Sequence, residues 1–298
     1  MKLIDYYNDT SQDVTIEEIG KAGTGYNSPT LVKVNGVLGY KKKSVNCASF
    51  DAFEYLISIL GKELKIKTAD TYFFDDGSIF SKAINPNGEE FITYSDIIKS
   101  VSISQEEIAE KIRRDKELEP VTFPNGKVKY MLKTDEDIEY GLGNFIKIIK
   151  KMNLEDECVI KRHYIRMCFL DSLTGNKDRV SNNYGLLKNE DNYSFAPLFD
   201  SSTIAYPGID DNLVQINDYL IDRDDLKKFI LKKYPQYLDD MLSIDMNKVK
   251  DKLYELADKV LNDNDKEWFN SQVTDQLPTD LTKEIISLYN SDESEKNR

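Results

Sequence analysis

The stretch Asp178-Arg-Val-Ser-Asn-Asn183, followed by Ala196-Pro-Leu-Phe-Asp200, decides how this chain is read. It sets a carboxylate, an amide and a second carboxylate in fixed order. Phosphoryl transfer from a nucleotide uses that set. One carboxylate positions the attacking hydroxyl, and an amide with a second carboxylate holds Mg²⁺ against the phosphates. Mg²⁺ suits such groups because it takes oxygen ligands in octahedral geometry and keeps several waters. Alone, Asn176-Lys-Asp-Arg179 would be an ordinary turn, since Asp and Asn bond nearby backbone and tolerate left-handed conformations.

The flanking sequence argues for more than a turn. Ile160–Leu173 reads as a largely apolar helix that Thr174-Gly175-Asn176 stops. Tyr184–Leu187 and Tyr193–Ala196 read as two strands around a Lys188–Asn192 turn. A loop between a buried helix and a ribbon is rigidly mounted. Asp171 follows Ile160, Tyr164 and Met167 at helical spacing and so falls on the buried stripe. A buried carboxylate needs partners; loop backbone amides are expected, giving Asp171 a structural role. Asn176 is expected to pin the loop in the same way.

The words Phe169-Leu-Asp-Ser-Leu-Thr-Gly-Asn-Lys-Asp-Arg-Val-Ser-Asn-Asn-Tyr-Gly-Leu-Leu187 and Phe195-Ala-Pro-Leu-Phe-Asp-Ser-Ser202 resemble the HipA-like serine/threonine kinases, including their compact, CtkA-like members. Two positions depart from the family pattern. Val180 stands where a His usual to the family follows Asp-Arg, which bears on loop orientation and turnover, and Phe199 stands for a common Tyr. The resemblance implies an α+β, bilobal protein-kinase-like fold, with a small β-rich N-lobe over residues 1–95 and a larger, mainly helical C-lobe over 96–298. It implies ATP and Mg²⁺ as cofactors and serine or threonine hydroxyls of a protein as acceptors. Asp178 would be the catalytic residue, and Asn183 and Asp200 the metal ligands. It also implies a possible small antitoxin-like partner, and autophosphorylation at Thr24 or Ser28. A pseudokinase acting as a binding module and a phosphoinositide-type lipid kinase are the alternatives.

The N-lobe should supply a phosphate-covering loop and a lysine. Gly20-Lys-Ala-Gly-Thr-Gly-Tyr-Asn-Ser28 precedes a hairpin, and its Gly23, Thr24 and Gly25 are candidates to cradle phosphates through backbone amides. It is neither a Walker A sequence nor a complete Gly-x-Gly-x-x-Gly. The hairpin itself, Pro29–Lys41, has Asn35-Gly36 at its tip, a strong turn signal. For the lysine, Lys41, Lys42 and Lys43 compete. Alignment of the hairpin tip with the compact family members points to Lys41, and Lys43, on the same side of a regular strand, is the alternative. Glu54 on the following helix is the candidate carboxylate partner, with Asp51 one turn earlier.

The remaining elements follow from periodicity and caps. A helix is expected near 50–62, with strands at 65–74 and 78–83 around Asp75-Asp-Gly77. Helices are expected at 104–116, 134–152, 156–174, 222–234, 246–262, 265–275 and 279–291, with Thr134-Asp-Glu-Asp137 as a capped start. Glu119–Tyr130 reads as an exposed hairpin or loop.

Composition is consistent with this reading. The 298 residues are 40% hydrophobic and 31% charged, as in a globular chain large enough for a real core. No apolar run approaches the roughly 20 residues of a membrane span. Met1-Lys-Leu-Ile-Asp carries no signal-peptide pattern, and three cysteines without paired spacing suggest a reducing, cytoplasmic setting. A net charge of −13 opposes broad nucleic-acid or anionic-membrane binding. Cys158, the single His163 and Cys168 are spaced by five, too far round a helix to share a metal, and read as packing residues.

Overall fold

The computed structural model describes residues 1–21, 29–43, 48–123, 126–201 and 210–296. The segment carrying Gly23, Thr24, Gly25 and Ser28 lies outside the described residues. The fold is mixed α+β, in two compact units. The first takes Met1–Glu89, Pro197–Ser202 and Ser243–Thr279; the second takes Glu90–Ala196, Thr203–Leu242 and Asp280–Arg298. Each unit is assembled from three segments of the chain, where a single division at 95/96 is expected from the sequence.

The first unit is built on a seven-stranded antiparallel sheet. Its strands are β1 (Lys2–Asp5), β2 (Thr10–Asp13), β3 (Ile16–Lys21), β4 (Thr30–Val34), β5 (Val37–Lys42), β6 (Thr71–Phe74) and β7 (Ile79–Lys82), with helix α1 (Ala48–Glu63) between β5 and β6. The spatial order is β2-β1-β6-β7-β5-β4-β3. Asn35 and Gly36 close the β4–β5 hairpin with φ of 49° and 84°, the left-handed pair that a two-residue hairpin turn needs. Side chains alternate across the sheet. Leu3, Val32, Val34, Phe74 and Phe80 form one buried cluster. Phe73 points the other way, and its ring meets Tyr55 of α1 edge-on at 5.1 Å. The strand expected over 65–74 is shorter, because Lys65 takes a left-handed φ of 57° and Thr68 makes only an isolated bridge to Leu198.

The second unit opens with β8 (Glu90–Thr93), α2 (Tyr94–Ser100) and α3 (Gln105–Glu117). The hairpin of β9 (Glu119–Thr122) and β10 (Val128–Leu132) then leads to α4 (Asp135–Met152) and α5 (Glu157–Thr174). Two further hairpins follow, β11 (Gly185–Asn189) with β12 (Asn192–Phe195), and β13 (Leu213–Ile216) with β14 (Tyr219–Asp222), before α6 (Arg223–Lys233). Helix α4 starts in the expected capping box: the Thr134 side chain accepts from the Asp137 amide, and the Asp137 carboxylate accepts from the Thr134 amide, each at 3.2 Å. Strands β12-β11-β8 form one sheet, and β13-β14-β10-β9 another, in which β10 and β14 run parallel. The core around α5 is aromatic. Phe145 stacks on Tyr164 at 4.1 Å, and Tyr184 lies between Tyr94 and Phe195. Each such ring contributes a large apolar area and about 1 kcal/mol of ring–ring geometry beyond it.

Two helices then return to the first unit: α7 (Met246–Val260) and α8 (Asp263–Phe269), the latter continued by a π-turn over Asn270–Thr274. They cover α1. Phe53 stacks on Phe269 at 5.6 Å and meets Trp268 at 5.4 Å. This explains why α1 is apolar on nearly all sides: it is packed between a sheet and helices. Helix α9 (Leu281–Lys296) belongs to the second unit. Among the described residues no helix is long and apolar enough to cross a membrane.

Candidate active site

The Asp178 loop is held from below and from one side. Helix α5 ends at Gly175, whose left-handed φ of 67° lets its N–H bond the Asp171 carbonyl at 2.8 Å. Asp171 is buried, as its spacing predicts, but its side-chain partners are not the expected loop amides. Arg179 donates Nε to Oδ2 at 2.9 Å and Nη2 to Oδ1 at 3.0 Å, and Asn176 Nδ2 donates to Oδ1 at 3.0 Å. A guanidinium is the better partner because its planar fork meets both oxygens and cancels the buried charge. Arg179 Nη1 also donates to the Asn183 carbonyl at 3.1 Å.

Asp178 and Asn183 are tied to each other through this frame. Asn176 Oδ1 accepts from the Asp178 amide at 3.0 Å, so Asn176 does pin the loop. The Asp178 carbonyl accepts from Asn183 Nδ2 at 2.7 Å and from the Val180 amide at 2.8 Å. From the side, Gln215 donates its amide to the Asn176 carbonyl at 2.9 Å, and Asn217 its own to the Arg179 carbonyl at 2.8 Å. Asp178 and Asn183 themselves are half-buried. In this framework residue 180 bonds through its main chain, so the loop is braced without the imidazole that the family pattern puts there.

In the first unit the lysine assignment changes. Glu54 is paired, but with Lys42: Nζ lies 2.7 Å from Oε2 and 3.0 Å from Oε1. The same Nζ reaches Asp200 Oδ1 at 3.4 Å. Lys41 instead pairs with Asp76 at 3.0 Å and lies 5.1 Å over the Phe74 ring, and exposed Lys43 donates to the Asp76 carbonyl at 2.8 Å. The reason is strand alternation. Lys42 pairs in register with Ile79, which pairs with Phe73, the residue facing α1; Lys41 pairs with Phe80 on the opposite face. The signal lay in the β7 pattern, which identifies the face that α1 covers. Asp51 is also buried on α1, but the lysine meets Glu54.

The electrostatics keep Lys42 charged. Burial by itself would pull its pKa down, yet the Glu54 and Asp200 carboxylates outweigh burial and hold it above its ordinary value. Burial pushes Glu54 up, opposed by Lys42 and reinforced by Asp200 and Asp51. Asp200 lies within the Pro197–Ser202 segment with a left-handed φ of 52°. Such backbone is uncommon in non-glycine residues, Asn and Asp being among those that tolerate it, and it recurs at functional positions.

The other candidates do not converge. Cys158 is exposed, which corrects its reading as a packing residue, whereas Cys168 is buried. His163 stacks at 6.2 Å on Phe195. Among the described residues no group of three or more His, Cys, Asp or Glu side chains is placed to hold a metal. A pair of oxygen ligands completed by phosphates remains the arrangement that Mg²⁺ commonly uses.

No family model matches the sequence. No curated protein matches it either. Among solved structures, the Helicobacter pylori proinflammatory kinase CtkA matches with a TM-score of 0.62 and 18% identity, over 92% of this chain and 94% of its own. HipA of Shewanella oneidensis MR-1, solved with HipB and operator DNA, matches with a TM-score of 0.42 and 11% identity, over 88% of this chain and 62% of its own. At these identities the likeness to CtkA is one of fold. The chain therefore has the α+β, kinase-like fold of CtkA, in keeping with the HipA-like family that its loop sequences resemble.

Proposed function

We propose that the protein is a kinase that uses ATP and Mg²⁺ to phosphorylate serine or threonine hydroxyls of a protein. The observation that carries this reading is the Lys42–Glu54 pair, half-buried at the lysine and buried at the carboxylate, reaching Asp200, in a chain whose Asp178 and Asn183 are fixed on one braced loop. Lys42 contacts the α- and β-phosphates, a role for which a permanently charged, carboxylate-held ammonium is suited. Asp178 orients the acceptor hydroxyl and takes its proton. Asn183 and Asp200 are the oxygen ligands for the metal. The donor set fits, since Asn183 uses its side-chain nitrogen on the Asp178 carbonyl and offers its oxygen to a cation. Mg²⁺, when bound, neutralises charge on the phosphate oxygens. Gly23, Thr24 and Gly25 cover the phosphates, and Thr24 or Ser28 is the autophosphorylation site.

The test is incubation with labelled ATP in host lysate, with and without Mg²⁺, beside Asp178→Asn and Asp200→Ala. Label should enter protein only with the wild-type chain and Mg²⁺. Transfer by Asp200→Ala at the wild-type rate would overturn the assignment. Mg·ATP binding without any transfer by the wild-type chain would favour a nucleotide-binding module, the reading that Val180 supports.

A further inference from the structure

A buried amine beside the Asp178 loop takes no part in this scheme. Lys129 lies on β10 and is only 7% exposed. Its Nζ donates to the Asn217 carbonyl at 3.2 Å and sits 5.3 Å from the centre of the Phe123 ring. Among the described residues no carboxylate comes within ion-pair distance of it. Buried Lys177, by contrast, has Asp211 at 3.3 Å, and Lys42 has Glu54. An ammonium facing a neutral carbonyl and a ring face is a costly arrangement, and buried lysines of this kind cluster at functional sites more often than by chance. Burial pulls the Lys129 pKa down to about 8, with Lys127 adding to the effect and the Asp218 and Asp178 carboxylates opposing it.

The amine is wired to the loop. The Asn217 carbonyl that accepts from Lys129 also accepts from Gln215 Nε2 at 3.1 Å. The Asn217 amide donates to the carbonyl of Arg179, the residue after Asp178, and its side-chain oxygen accepts from Tyr184 at 2.9 Å. Asn217 has a left-handed φ of 57° and is held there by bonds on both sides of the peptide. Lys129 is thus joined through one residue to the main chain that presents Asp178.

We propose that Lys129 is a positioning residue whose ammonium charge, tied through Asn217 to the catalytic loop, acts on Asp178 and supports its turnover. This rests on the kinase reading. Loss of the proton removes the positive charge behind the loop, so activity acquires an alkaline limb set by Lys129.

Two measurements test the proposal. In the first, kcat and KM for ATP are followed across alkaline pH for wild type, Lys129→Met and Lys129→Arg. Lys129→Met should lower kcat about tenfold, the size of a one-unit electrostatic effect, with KM for ATP unchanged. Lys129→Arg should restore kcat and abolish the alkaline limb. A Met variant with the wild-type rate and pH profile, or an Arg variant no better than Met, overturns the proposal. In the second, the side chain of Lys129 is titrated by NMR of labelled lysine, with wild type and Asp178→Asn compared. Removing the carboxylate should lower the Lys129 pKa, and no change overturns the coupling. If the wild-type chain transfers no phosphate yet this shift is present, the kinase reading fails while the coupling between the two residues stands.

Discussion

Arg179 and Asp171 form an ion pair shut off from water, with 0% and 1% of their side chains exposed and two hydrogen bonds of 2.9 and 3.0 Å between them. It joins the last turns of α5 to the residue after Asp178. Removing one partner strands the other as a buried charge, which typically costs 3–5 kcal/mol (roughly). Asp171→Ala should therefore lower stability by about that amount in chemical denaturation. Replacing both residues with apolar ones of similar size should cost less. A single Asp171→Ala variant as stable as wild type would show that the pair does not hold the loop.

Lys42 and Lys41 are adjacent in sequence but differ in consequence. Lys42→Met should abolish detectable Mg·ATP binding in calorimetry while the chain stays folded. Lys41→Met breaks a partly exposed pair with Asp76, worth about 0–1 kcal/mol, and the contact over the Phe74 ring, and should bind nucleotide as wild type does. Equal losses in the two variants would return the lysine assignment to the position suggested by hairpin alignment.

Gly185 follows Asn183-Tyr184 at the start of β11. A Cβ there would lie 2.1 Å from the Ile92 carbonyl oxygen and 2.9 Å from Thr93 Cα, both main-chain atoms that cannot rotate away. Gly185→Ala should force β8 and β11 apart, destabilising the second unit by about 1–3 kcal/mol or more. Melting temperature and phosphate transfer should fall together, because Asn183 lies two residues before Gly185.

Lys129 gives a stability prediction with a definite sign. Its pKa is depressed to about 8 in the folded protein, against the 10.5 of a lysine free in water. Between those pH values the unfolded chain binds more protons than the folded one, so stability rises with pH across that window. Below it, the buried ammonium costs on the order of a few kcal/mol. Lys129→Met should accordingly raise the melting temperature at pH 7 and flatten the rise between pH 8 and 10, a stability gained at the expense of turnover.

Much of the local structure was legible. The Asn35-Gly36 turn, the Thr134 capping box and the stop of α5 at Gly175 rest on interactions within a few residues, and periodicity placed Asp171 on the buried side of its helix. Its partner was not legible. Arg179 stands in the quoted motif, yet nothing local says that its side chain folds back under the loop rather than outward. The β13–β14 hairpin is not legible either, since two four-residue strands leave little pattern; it braces the loop through Gln215 and Asn217.

By itself, the sequence determined the order of the chemistry-bearing groups, the helices that end at caps and glycines, and the strands that alternate. Only the tertiary structure decided that Lys42 rather than Lys41 meets Glu54, that Arg179 neutralises Asp171, and that α7 and α8 return to cover α1. The physical reason is range. Caps, turns and periodicity act over one to four residues, whereas the partner of a buried charge depends on which face of a sheet meets which helix. That is settled by residues far apart in the chain, such as Lys42, Ile79 and Phe73.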